Sequence, residues 1–288
     1  MNPLDYPGVN VALMGPPGTG KTHALASFAL AGVETFVVFL EPGLESLIGA
    51  FTDKPPRGRG LLEVPKNVHW HNLEPKQRSF ALMKERVIDV GKYDQKFLAN
   101  YKDPKRADFN RFEALYACLN NFIDQRGQEF GSVENWQNDR VICIDGATGL
   151  GEAALEMMTG DKVVRDKPDF GIAQHNLSVA VKKLTQGCKC HFVLICHVDR
   201  YLDDISQGGM KLFPSLPGKA LQSSFTQPFS DVILTVREAD KWTWDTANSS
   251  ADLKTRNLDV KSKIVPDFAT ILASWRSRRD AAVRGSAA

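Results

Sequence analysis

Two spacings of apolar residues alternate along the chain, and they predict strands and helices in turn. Residues 9–14 are a short apolar run that opens into a glycine-rich segment. Residues 22–31 beyond it are rich in Ala and Leu, with Gly32 as a stop, which reads as strand, loop and helix. Residues 35–40 are apolar and β-branched throughout, the mark of a parallel strand buried on both faces, and they stop at Glu41-Pro42-Gly43. A helix is expected over residues 44–50, a loop over the Pro/Gly/Arg stretch 54–60, a strand over 68–73 and a helix over 76–90. Residues 91–110 are polar and mixed in charge and read as an insertion. Residues 112–124 return to the helical period, with Phe112, Leu115, Leu119, Phe122 and Ile123 near one face. Strands follow at 140–144, ending in Asp145-Gly146, and at 190–196, ending at His197, with a helix over 172–184 between them. Residues 232–236 and 241–245 read as a hairpin, 257–263 as a last strand, and the end from about Arg276 as a frayed basic tail.

Strands alternating with helices predict an α/β fold: a mainly parallel, doubly wound sheet covered on both faces, with antiparallel strands near the C-terminus. One domain is expected over residues 1–275, with an insertion at about 51–137, followed by a basic flexible tail at 276–288. The 288 residues, 43% of them hydrophobic, supply a substantial core. A formal net charge of +2 demands neither nucleic acid nor membrane as a partner, though it leaves room for a local basic surface. No run approaches the roughly 18 apolar residues of a spanning helix, and the first residues lack a basic-then-apolar leader pattern, so a cytoplasmic location is expected. Five cysteines in a chain of this length do not suggest a disulfide framework. Cys188, Cys190, His191, Cys196 and His197 have two readings: a metal site, or, for Cys190 and Cys196, small hydrophobes on an apolar strand.

Candidate chemistry concentrates at the strand ends. Gly15-Pro16-Pro17-Gly18-Thr19-Gly20-Lys21-Thr22 fills every position of the P-loop pattern and has a predicted strand before it and a helix after it, the context that the motif requires. Gly15, Gly18 and Gly20 allow the backbone to turn and to approach a ligand where a side chain would obstruct it. The freed N–H groups are then expected to wrap a β-phosphate. Lys21 supplies charge to the β- and γ-phosphates, and the Thr22 hydroxyl is expected to ligate magnesium. Asp145 follows four apolar residues and so emerges at the carboxyl edge of the sheet, where open α/β folds bind ligands; it is the second expected magnesium residue, through water. ATP and Mg2+ are the cofactors expected. Glu41 ends the strand after the loop's helix and reaches the same edge, where a carboxylate can polarise a water facing the γ-phosphate. A solvated strand-end Glu is the alternative reading, and Glu45 is the second candidate base.

This arrangement resembles the RecA superfamily of P-loop ATPases, closest to phage-encoded single-strand annealing ATPases with a reduced RecA core. The resemblance covers residues 8–50 and 138–268. It implies a RecA-like fold that hydrolyses ATP to ADP and phosphate, with Glu41 activating water, Asp145 at the magnesium and His197 sensing the γ-phosphate. It also implies a homo-oligomer, ring or filament, in which basic residues act across the subunit boundary. Arg256, Lys261 and Lys263 are the matches. Lys261 and Lys263 lie two apart and would share a face if 257–263 is a strand; a solvated edge strand protected by lysines is the other reading. The family's passage from a mobile loop into a helix and the next strand is matched by residues 214–231, with Lys219 facing nucleic acid or a neighbour. Single-stranded DNA, annealing or recombination, phage or host recombination proteins and action in a bacterial cytoplasm are the remaining implications. The long interval between residues 50 and 138 departs from the simplest family pattern.

DNA binding needs phosphate contacts, and Lys54, Arg57 and Arg59, the loop 203–211, and Arg276, Arg278, Arg279 and Arg284 are the candidates, with Asp203-Asp204 working against the second. Two alternatives stand beside the annealing reading: an AAA+ type remodelling or helicase-loader ATPase, which requires a helical lid in the last 80 residues, and an assembly component locked by ATP.

Overall fold

A computed structural model describes residues 2–75, 79–100, 109–160, 162, 164–203, 209–218 and 220–285. The first half runs β1 (Asn10–Met14), α1 (Lys21–Ala24), α2 (Ala26–Leu30), β2 (Glu34–Phe39), α3 (Leu44–Thr52), β3 (Val68–Asn72), α4 (Phe80–Val90), α5 (Gln95–Asn100) and α6 (Arg111–Asn120). The second half runs β4 (Arg140–Asp145), α7 (Ala147–Thr159), α8 (Lys167–Gln186), β5 (His191–Cys196), β6 (Val198–Asp203), β7 (Gly209–Pro214), β8 (Asp231–Glu238), β9 (Lys241–Asp245) and α9 (Phe268–Gly285).

Seven strands form one sheet in the order β3-β2-β4-β5-β1-β8-β9. Every neighbouring pair is parallel except the antiparallel β8–β9 hairpin. The architecture is therefore α/β with a mostly parallel sheet and antiparallel strands near the C-terminus. Because side chains alternate across a strand, β2 divides its residues between two cores. Phe36 and Val38 join Ile142, Leu194 and the buried faces of α6, α7 and α8 on one side. Val37 and Phe39 join Cys143, Val193, Leu25, Phe28, Leu47 and Phe268 on the other. Covered on both sides, the central strands read as unbroken apolar runs.

Several elements differ from expectation for identifiable reasons. Helix α7 lies in a stretch where Gly149 and Gly151 lower helix propensity; a Cβ on Gly149 would come 2.8 Å from the Leu40 carbonyl oxygen, and one on Gly151 2.4 Å from Pro217. Helix α8 begins at Lys167, where Asp166 and Asp169 form a capping box. Residues 257–263, expected as a strand, form none: the buried Asp231 carboxylate accepts the N–H groups of Arg256 and Asn257 at 2.8 and 2.9 Å and holds the chain in a loop. Lys261 and Lys263 are thus not paired on a strand face. Residues 220–228 are turns, not the expected helix. From Arg276 to Gly285, expected to be frayed, the chain continues α9, which is anchored by Phe268, Ile271, Leu272 and Trp275. The β6–β7 hairpin, a separate two-stranded sheet, was not anticipated. Lys219, most of the loop 203–211 and residues 101–108 of the expected insertion lie outside the described residues. No helix among the described residues is long and apolar enough to cross a membrane.

Candidate functional site

The glycine-rich segment leaves β1 at the carboxyl edge of the sheet. Gly15 donates its N–H to the Cys196 carbonyl at the end of neighbouring β5 (3.1 Å). On the other side a Cβ on Gly15 would come 2.0 Å from Thr235 Oγ1 of β8, so the loop passes between two strands with no space for a side chain. Thr235 anchors that passage by donating to the Met14 carbonyl (3.0 Å) and meeting the Thr19 hydroxyl (2.6 Å). Gly20 takes φ 79°, the left-handed conformation that glycine adopts without strain, and starts α1.

Helix α1 then delivers two side chains into the edge. Lys21 is buried, and its ammonium donates to the Gly15 and Pro16 carbonyls, both at 2.8 Å. Burial lowers its pKa to about 8, although Asp145, Cys196 and Glu41 act in the opposite sense. Thr22 donates its hydroxyl proton to Asp145 Oδ2 at 2.7 Å. Asp145 ends β4 and is 6% exposed, and burial raises its pKa to about 6 against the bond from Thr22. Thr22 and Asp145 are hard oxygen donors in direct contact, which is the donor chemistry magnesium takes.

Glu41 follows β2, yet its carboxylate crosses the end of β4. Oε1 accepts the Gly149 N–H of α7 at 2.6 Å, and Oε2 lies 3.2 Å from His197 Nε2 beyond β5. Two glycines make the crossing: a Cβ on Gly146 would come 2.8 Å from the Glu41 side chain, and one on Gly149 3.0 Å from it. Burial acts to raise the Glu41 pKa, but the bonds from His197 and Gly149 outweigh it and hold the carboxyl below its ordinary value. His197 Nδ1 is buried with no partner among the described residues. Four elements thus bring Lys21, Thr22, Glu41, Asp145 and His197 to one end of the sheet.

The other expected residues lie elsewhere. Lys261 pairs with Asp259 at 3.2 Å and Lys263 with Glu238 at 3.1 Å, while Arg256 is exposed. Cys190 is buried just before β5 and Cys196 at its end, and Cys188 is half-buried. Gly146 and Gly149 were missed as site residues, although an Asp145-Gly146 strand end followed by a glycine inside a helix is a signal of close backbone approach. Trp242 of β9 was missed too. Its indole donates to the Gly18 carbonyl (3.1 Å), and a Cβ on Gly20 would come 2.6 Å from its ring. Neither a protein-family model nor a curated protein matches this chain.

Proposed function

We propose that this chain is a RecA-like ATPase that binds and hydrolyses ATP with Mg2+ and couples hydrolysis to single-stranded DNA in a homo-oligomer. The observation that carries the reading is the convergence of the buried Lys21 ammonium, the Thr22–Asp145 pair and the Glu41–His197 pair at the mouth of a glycine-rich loop. In the proposed mechanism Lys21 exchanges its two loop carbonyls for β- and γ-phosphate oxygens, which removes a buried cation from an environment that disfavours its charge. Thr22 and Asp145 would hold magnesium, which when bound would supply positive charge to the phosphates. Glu41, kept ionised by its partners, orients the attacking water and accepts its proton. Turning of the His197 ring toward a γ-phosphate oxygen would give its buried, unpartnered nitrogen a partner and would release Glu41 Oε2.

The DNA half of the reading is supported by connectivity. His197 leads straight into the β6–β7 hairpin, so a ligand bound on that hairpin would adjoin the residue that contacts Glu41. Support for a RecA-like engine over an AAA+ one comes from the last 80 residues. Among those described, the one helix is α9, which packs on the core through Phe268 stacked against Phe28 at 4.2 Å. The test is ATP turnover with and without single-stranded DNA, with assembly state recorded in parallel. Turnover that rises with DNA in an oligomer is expected. Unstimulated turnover by a persistent monomer would remove the DNA and oligomer parts, and no turnover at all would remove the ATPase.

A further inference from the structure

Three polar groups of the site lie to one side of β1. Asp145, Glu41 and His197 end or follow β4, β2 and β5, whereas β8 and β9 lie on the opposite side. A triphosphate seated in the loop with its γ-phosphate toward those groups must direct its nucleoside the other way, toward the β8–β9 hairpin. An aromatic pair stands there. Trp242 of β9 and His23 of α1 have ring centroids 4.8 Å apart, tilted by 58°, and both are half-buried. Trp244, two residues on along the same strand face, is wholly packed in the core against Phe268. Trp242 continues that face past the start of α1, to the rim of the loop.

We propose that Trp242, with His23, is the platform on which the nucleotide base stacks, and that it accepts adenine and guanine almost equally. The proposal rests on the phosphate-site reading above. An aromatic ring offers every base a π-face, so stacking alone discriminates little. Discrimination comes from hydrogen bonds to the base edge, and both rings have committed N–H groups. Trp242 Nε1 donates to the Gly18 carbonyl, and His23 Nε2 donates to the Arg57 carbonyl.

The test compares Mg2+-tripolyphosphate, ATP and GTP binding to the full chain by calorimetry, in the unaltered protein and in Trp242→Ala and Trp242→Phe. Tripolyphosphate carries the charge without the base. Trp242→Ala is expected to weaken ATP and GTP about tenfold more than it weakens tripolyphosphate, with most of that difference restored in Trp242→Phe. In the unaltered protein ATP and GTP should differ by less than about threefold. Equal losses for all three ligands would make Trp242 a prop for the loop and overturn the platform, as would no loss at all. A large preference for ATP over GTP would overturn its indifference to the base. If the unaltered protein does not bind tripolyphosphate, the phosphate-site reading itself fails and the platform with it, an outcome distinct from selective loss of base binding.

Discussion

Two polar clusters sit at opposite ends of the same sheet, and they are built on opposite principles. At the amino edge, His69 of β3 places Nε2 2.8 Å from Glu34 and Nδ1 3.0 Å from Asp124, while Arg126 pairs with Asp124 at 2.9 Å. Asp124 also accepts the N–H groups of Arg126 and Gln128 at 2.8 and 2.9 Å. Burial acts to raise its pKa, but these bonds outweigh it and hold the carboxyl down at about 2. At the carboxyl edge the balance is reversed: burial drives Lys21 down to about 8 and Asp145 up to about 6, and His197 retains an unpartnered nitrogen. In the first cluster each charged group has a hydrogen-bonding partner within the protein, which makes it part of the fold. The second leaves charges that the protein alone does not compensate, as expected of the charged-ligand site proposed above.

Substitutions in the two clusters should therefore diverge. Glu41→Gln is expected to lower ATP turnover by about 10²–10⁴-fold while leaving ATP binding in place, measured by steady-state kinetics beside calorimetry. Unchanged turnover would exclude Glu41 as the base. Lys21→Ala should lower turnover by at least about 10²–10³-fold, together with the loss of ATP binding. Its urea midpoint without ligand should stay level or rise, because a poorly compensated buried cation is removed. Asp124→Ala should do the reverse, destabilising the fold by about 3 kcal/mol in urea titrations while ATP binding by the folded protein is unchanged.

The smallest effect is in the pH dependence, where the two acids have opposite signs. Asp145 holds its proton to higher pH folded than unfolded. Its contribution to ligand-free stability therefore falls between about pH 4 and pH 6, by about 1–3 kcal/mol, and Asp145→Asn should flatten that slope. Asp124 is depressed when folded, so its contribution is present above about pH 4 and lost as pH falls toward 2. A slope between pH 4 and 6 that survives Asp145→Asn would mean that the carboxyl-edge acid is not the strained group.

How far the sequence discloses this contrast depends on how local each cluster is. The loop, Asp145 and Glu41 are legible because each ends an apolar run, and apolar runs in a parallel sheet end at a shared edge. The contact between Glu41 and His197 is not legible: it depends on a side chain crossing a third strand, over glycines whose purpose appears only when the strands are ordered. The His69 cluster joins residues 55 positions apart through an edge strand and a loop. Trp242 and Trp244 occupy the same strand face, but Trp244 packs under Phe268 of α9 and is core, whereas Trp242 lies against Gly20 and His23 and is rim. Asp231 reads as a strand start, whereas its burial and its grip on Arg256 and Asn257 turn the following residues into a loop.

Calorimetric titration of Mg-ATP into the unaltered chain and into Lys21→Ala reads the proposed phosphate site itself. One magnesium-dependent site per chain is expected, abolished by the substitution while the folded state persists. No binding to the unaltered chain, or binding indifferent to Lys21, would contradict it.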